Sequence, residues 1–292
     1  MRNAAIATLV AIGSFLIPIA AHTAQPQPRP RAPLRLYVFD CGTLEGDPAR
    51  FNLKRQEMAT SDMSVACYLV VHPMGTLIWD TGAVPDSDVK PDSERTRHHL
   101  VLSNTERYVT LAKSLKTQLG DAGYAPRDIT YLALSHYHYD HTANANEFAS
   151  STWLVRQAER DAMFADKPPD LVERATFGAL ANSKTTILDT DDYDVFRDGS
   201  VIIKWTPGHT PGHQALFVRL QATGPVLLSG DLYHYPEERT LDRVPTFDFN
   251  PDQTRRTRAA IETFLKTSHA KLWIQHDFTA TAALKKGPAF YE

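Results

Sequence analysis

Cysteine is scarce in this chain: Cys41 and Cys67 are the only two in 292 residues. A pair is not a disulfide framework, and free cysteine packs as a small hydrophobe, so two buried, inert thiols are the expected state. Both sit on predicted strands, in VFDCGTL and SVACYLV, where an oxidising compartment would permit a bridge. A basic excess is missing as well. The net charge is −3 and no run of five Lys or Arg occurs, so nucleic acid is not expected as a partner. The chain also lacks an unbroken apolar span. Its first apolar stretch, Ala4 to Ala21, is interrupted by Pro18 and falls short of the roughly 20 residues that cross a bilayer. Arg2 before it and small residues after it are the pattern of a secretory signal peptide, cleaved after Ala21 or Ala24. No cysteine stands beside that site, so a lipid-modified N-terminus is not indicated. The expected location is periplasmic or secreted, with no membrane attachment after signal cleavage.

Residues 1–24 are thus assigned to the signal peptide. Residues 25–33, QPQPRPRAP, read as an extended proline-rich lead-in, and 34–292 as one domain. Within the domain, strand and helix signals alternate. Leu34 to Phe39, Val65 to Val71 and Thr76 to Trp79 read as strands. Tyr108, Leu111, Leu115 and Leu119 recur at helical spacing, which predicts a helix from Glu106 to Leu119 capped by Gly120. Further strands are expected at Ile129 to Leu134, Thr152 to Val155, Thr185 to Leu188, Val201 to Trp205, Ala215 to Leu220, Val226 to Ser229 and Lys271 to Ile274. Helices are expected from Gln157 and over Asp252 to Lys266. Two sheets packed face to face with helices outside is the layer arrangement that fits.

The chemistry is concentrated in LSHYHYDHT, residues 134–142. His136 and His138 are two apart, so on an extended segment their side chains point the same way and can grip one ion. Asp140 and His141 follow where the chain turns toward a helix, and they can reach a second. Imidazole and carboxylate suit zinc, with iron, manganese or cobalt as substitutes. Each ion needs more ligands. His213 at the end of TPGHTPGH, Asp231 at the end of VLLSGD and His276 after LWIQ all stand at strand exits. An aspartate there can give one oxygen to each of two ions. His209 lies four residues before His213 in the same loop and is its alternative; His213 is taken as the ligand.

Those residues carry a family resemblance. SHYHYDH, DTG at Asp80 to Gly82, PGHTPGH, SGD and the late QHD resemble, in order, the motifs of the metallo-β-lactamase superfamily. The resemblance implies an α/β protein built as an αββα sandwich, two mixed sheets flanked by helices, with seven ligands divided between two divalent ions, expected to be Zn2+. His136, His138 and His213 would hold the first ion, Asp140, His141 and His276 the second, and Asp231 would bridge. Asp80 would orient ligands from behind.

Within the superfamily, an aspartate at Asp231 argues against β-lactamase as the main activity. Sixteen residues after His276 leave no room for the helical domain of glyoxalase II enzymes. Tyr139, CYLV followed by GTLIWDTG, the long Ala83 to Asn104 loop and GDLYHYPEE resemble the N-acyl homoserine lactonase branch. The lactonases usually carry a tyrosine three residues after the bridging aspartate; here it is His234, flanked by Tyr233 and Tyr235. The implied reaction is hydrolysis of an acyl lactone by a metal-bridging hydroxide. His234 or Tyr233 would polarise the carbonyl, Asp140 would carry the proton, and Tyr139, Phe247 and the long loop would hold the acyl chain. The alternatives are a hydrolase of other esters, lactones, organophosphates or, weakly, β-lactams, and a metal-binding module without catalysis. A small acyl lactone or ester is the expected partner; the sequence leaves a homodimer open.

Overall fold

Side chains on successive residues of a strand face opposite ways, and in this chain both faces are apolar. Strand β1 (Arg35–Glu45) sends Leu36 and Val38 to one core, and Tyr37, Phe39 and Cys41 to another. Strands β2 (Asp62–His72) and β3 (Gly75–Trp79) divide the same way: Ala66, Tyr68, Val70, Leu77 and Trp79 on one side, Val65, Cys67, Leu69 and Ile78 on the other. A sheet apolar on both faces must be covered on both. The computed structural model describes residues 1, 33–90, 94–102 and 105–292. Residues 2–24 of the expected signal peptide and 25–32 of the lead-in lie outside the described residues. The described fold runs from residue 33 to residue 292.

The remaining strands are β4 (Thr96–Leu102), β5 (Thr105–Leu111), β6 (Tyr131–Ala133), β7 (Thr152–Val155), β8 (Thr185–Ile187), β9 (Asp192–Asp194), β10 (Val201–Trp205), β11 (Gln214–Leu220), β12 (Gly224–Leu228), β13 (Lys271–Trp273) and β14 (Phe290–Tyr291). The larger sheet runs β4-β5-β1-β2-β3-β6-β7-β8, with β14 also paired to β1; the smaller runs β13-β12-β11-β10-β9. Both are mixed, since β3, β6, β7 and β8 are parallel, as are β12 and β13. Leu36, Tyr68 and Trp79 of the larger sheet meet Val201, Leu216 and Leu228 of the smaller in the inter-sheet core. Leu115, Leu119 and Met163, from helices Leu115–Asp121 and Gln157–Met163, cover the larger sheet's outer face. Ile261 and Leu265 of the helix Pro251–Ser268 cover Phe217 and Leu227 of the smaller. This is the expected αββα sandwich.

Three sequence expectations are corrected. The segment from Glu106 is not a helix: Thr105–Leu111 is β5, paired with β4 and, through Thr110 and Val109, with β1. The apolar spacing of four at Leu111, Leu115 and Leu119 imitates one helical stripe, but Tyr108, Val109 and Thr110 are better strand formers. The helix starts only at its cap, Ser114, whose side chain accepts from the Thr117 amide; Gly120 lies inside it. Thr96–Leu102, near the end of the expected long loop, is accordingly β4, paired with β5. Finally, Cys41 and Cys67 are bonded to each other. Phe39 is the register partner of Cys67, and Cys41 lies two residues further along β1 on the same face, a proximity invisible in one dimension.

Candidate metal centre

Strand ends at one rim of the sandwich deliver the polar residues. After β3 the chain enters the left-handed region at Asp80, φ 58°. There the carboxylate accepts from the Ser135 amide at 2.6 Å, from Gln275 Nε2 at 2.8 Å and from His141 Nδ1 at 2.9 Å. With Nδ1 spent, His141 presents Nε2 inward. The same division recurs. His276 gives Nδ1 to the Ser64 carbonyl at 2.7 Å, and His209 gives Nδ1 to Asp248 at 2.8 Å. A carboxylate or carbonyl behind each ring fixes its tautomer and aims the other nitrogen, as in metal sites.

The inward atoms form two groups, His136, His138, His209 and Asp231 in one, and Asp140, His141 and His276 in the other, all buried. Asp231 stands between them. Its Oδ1 is 3.2 Å from His141 Nε2 and 3.1 Å from His276 Nε2. Its Oδ2 is 3.5 Å from both His136 Nε2 and His209 Nε2. Asp140 Oδ2 is 3.6 Å from His276 Nε2. Gly230 permits this approach: at φ 52°, an added Cβ would stand 2.8 Å from His213 Nε2.

Burial and the neighbouring histidines hold the His136 and His138 imidazoles well below their ordinary pKa, hence neutral, the form that binds metal. Burial opposes ionisation of Asp231, yet the surrounding histidines, His276 first, keep it well below the usual carboxylate range. His141 Nε2, His276 Nε2, His234 Nε2 and Asp231 Oδ1 are buried with no hydrogen-bond partner. Each such atom costs about 1–3 kcal/mol when unmade. Those of His141, His276 and Asp231 belong to the two ligand groups and fit a site for divalent cations, which would satisfy them.

His213 is not in the cluster. Its Nδ1 donates to the Thr206 carbonyl at 2.9 Å and its Nε2 accepts the Asp231 amide at 2.9 Å, so neither nitrogen is left for a ligand. His209 stands in its place, which overturns the preference for His213. His234 lies at the centre, Nε2 3.1 Å from Asp231 Oδ2 and Nδ1 3.1 Å from Glu238 Oε1. Burial works against its charge, but Asp231 and Glu238 outweigh it and lift the imidazole to about 10. Tyr233, the alternative polarising group, points away: its hydroxyl donates to Glu262 and Arg258 lies over its ring, under the outer helix. Tyr235 is tied to the Ser61 carbonyl.

A cavity of about 330 Å³ opens beside the cluster, bounded by His138, Asp140, Asp231 and His234 and by the apolar Leu44, Phe51, Met63, Tyr139 and Phe247. Tyr139 and Phe247, the residues expected to meet the acyl chain, line this cavity. Among the described residues, the 83–104 segment contributes no wall; Glu106, Arg107 and Tyr108 of β5 do. Sequence reasoning gave no role to Asp248, Ser135, Gln275 or Glu159, whose partners, His209, Asp80, Asp80 and Thr210, are distant in the chain.

An αββα sandwich with paired histidine and carboxylate groups at one rim, beside an open cavity, defines a metal-dependent hydrolase with places for two divalent ions. The Metallo-beta-lactamase superfamily profile matches residues 60–274, and the chain belongs to that superfamily. N-acyl homoserine lactonase AttM of Rhizobium radiobacter is 29% identical over 274 residues, spanning 88% of this chain and 98% of the relative. N-acyl homoserine lactonase AiiA of Bacillus thuringiensis subsp. kurstaki is 25% identical over 262 residues, 88% and 98% of the two chains. Among solved structures, an N-acyl homoserine lactone hydrolase with N-hexanoyl-L-homoserine bound at its catalytic metal center superposes with a TM-score of 0.70, at 23% identity over 88% of this chain and 98% of that one. AidC, a dizinc quorum-quenching lactonase, gives 0.61 at 19% identity, covering 89% and 94%. At those identities the structures speak for the fold.

Proposed function

We propose that the protein hydrolyses the lactone ring of N-acyl homoserine lactones, using two zinc ions, one held by His136, His138 and His209 and one by Asp140, His141 and His276, with Asp231 between them. The observation that carries this is Asp231 turning one oxygen to each group, beside a cavity lined in part by Leu44, Phe51, Met63 and Phe247. The full-length likeness to two lactonases supports the substrate class. When bound, such ions supply Lewis acidity and a water whose pKa falls to about 7.

The chain's own groups do the rest. His234, which lines the cavity with Nε2 3.1 Å from Asp231 Oδ2, donates to the carbonyl oxygen as charge develops on it. Asp140, at the cavity wall, hands the proton to the departing ring oxygen. Phe247, Tyr139 and Met63 hold the acyl chain and exclude water. Export is part of the same proposal, supported by the signal-peptide pattern and by the Cys41 to Cys67 bond, which an oxidising compartment preserves. The mature protein then begins at His22 or Gln25, which mass analysis of exported material reads directly.

Metal analysis and product mass test the site and the reaction. The expected outcome is close to two ions per chain and a ring-opened acid from acyl homoserine lactones. Asp140→Asn should stay folded and lose about a hundredfold or more in kcat. Simple esters cleaved while these lactones stay intact would overturn the proposal.

A further inference from the structure

Two arginines in the cavity wall make no ion pair with a carboxylate among the described residues. Arg50, just before Phe51, and Arg107, on β5, both line the cavity. Among the described residues neither has a carboxylate within ion-pair distance; Arg107 donates to the Glu106 carbonyl, and Arg50 lies 4.6 Å over the Phe247 ring. The acids of the same wall are taken. Glu45 receives Arg97 through both oxygens, Asp47 accepts the Ala49 amide, and Glu106 faces His99 and the Tyr108 hydroxyl. Asp47 and Asp170 act on Arg50 only at longer range, and Arg107 opposes its charge. Nearby Arg95 and Arg97 are, by contrast, paired with Asp40 and Glu45.

Phe247 connects this pair to the hydrolytic centre. Its ring centre is 5.6 Å from that of His209 and 5.7 Å from that of His234, with Arg50 over its face. Two like charges facing one cavity, neither ion-paired among the described residues, repel one another, and an incoming anion held between them removes that cost. A guanidinium fork matches a carboxylate.

We infer that Arg50 and Arg107 form an anion-receiving subsite, and that the preferred substrate is a lactone or ester bearing a carboxylate remote from the scissile bond. The inference rests on the lactone-hydrolase reading for its reaction, but the arginines carry the selectivity. A neutral acyl chain leaves both charges unanswered; a chain ending in a carboxylate neutralises them.

The experiment compares two homoserine lactones of equal acyl length, one ending in a methyl group and one in a carboxylate, on the metal-loaded protein. The carboxylated probe should show a KM lower by about tenfold, the worth of one charge-assisted hydrogen bond. The ratio of the two KM values should fall toward one in Arg50→Met and in Arg107→Met, and should shrink at high salt in the wild type. Calorimetric binding of the two ring-opened products, which needs no turnover, should give the same preference. Equal KM values, or a preference that survives in both variants, overturns the subsite while leaving lactone hydrolysis standing. Absence of turnover on both probes with the product preference intact sinks the lactone reading and keeps the subsite.

Discussion

Alanine at His209 and alanine at His213 should have opposite consequences. His213 is fully buried and structural. Removing its ring strands the Asp231 amide, at about 1–3 kcal/mol, and leaves a void worth about 2 kcal/mol more. A loss of about 3–5 kcal/mol corresponds to a fall in Tm of about 10 °C in a chain this size. The inward nitrogens of the cluster remain, so His213→Ala should still carry close to two ions per chain after dialysis against a weak chelator. His209→Ala deletes an inward nitrogen instead, leaving His136, His138 and Asp231 in its group. Asp248 keeps its hydrogen bond from Thr254, so the variant should fold. Its retained metal should drop toward one ion. Elemental analysis of folded protein, with Tm measured alongside, reads both outcomes. If His213→Ala lost an ion while His209→Ala kept both, the reasoning from ring-nitrogen occupancy would be refuted.

Three further outcomes follow from neighbouring contacts. His234→Ala should lower kcat by about a hundredfold with metal content unchanged, whereas Tyr233→Phe should keep kcat and lose about 1 kcal/mol of stability with its Glu262 bond; steady-state kinetics on both variants decides, and equal losses of kcat would sink the assignment. Burial lifts the Glu159 carboxyl from 4.5 to about 7 although Thr210, Gly212 and Tyr137 donate to it. A folded value raised above the unfolded one means its stabilisation is complete below about 4.5 and is lost as pH rises through about 7, at most about 3 kcal/mol. Urea unfolding from about pH 5 to pH 8 should therefore weaken the wild type more than Glu159→Gln, and parallel slopes would count against it. The Cys41 to Cys67 bond spans 26 residues of sequence, for which loop-closure entropy gives about 3.5 kcal/mol. Reductant should lower Tm in the wild type and leave the Cys41→Ser, Cys67→Ser double variant unmoved.

Much of the site is legible because its ligands fall at strand ends. LSHYHYDHT follows β6, Asp231 follows β12 and His276 follows β13, so the strand pattern alone gathers them at one rim. Strands with apolar alternation are read well, since period two survives in one dimension. Residues 106–119 fail for the opposite reason: Leu111, Leu115 and Leu119 satisfy a helical period, and only pairing with β1 and β4 resolves the first half as strand. The cavity wall was misplaced in consequence, because β5 rather than the preceding loop brings Arg107 and Tyr108 to it. Tyr233 and His234 are adjacent and point to opposite sides, which composition cannot reveal.

The choice between His209 and His213 is the sharpest case, because Thr206 to His213 is the same tetrapeptide, TPGH, written twice. Local chemistry is identical at the two positions, so only distant contacts can tell them apart. Gly208 lies against the start of the helix Pro251–Ser268, where an added Cβ would stand 2.4 Å from the Thr254 amide nitrogen. That close approach, at φ 138°, brings the loop beside Asp248, Phe249 and Asn250. The Phe249 and Asn250 amides donate to the carbonyls of His209 and Gly208, and Asp248 takes His209 Nδ1. Gly212 is held elsewhere, its amide on Glu159, immediately before β11 begins. There His213 is drawn under the Asp231 turn, and its two nitrogens are spent on the Thr206 carbonyl and the Asp231 amide. One copy of the tetrapeptide thus faces the metal groups, while the other braces the aspartate that stands between them. The duplication in sequence conceals a division of labour set by residues about 40 positions away, as the 39-residue separation of His209 from Asp248 attests.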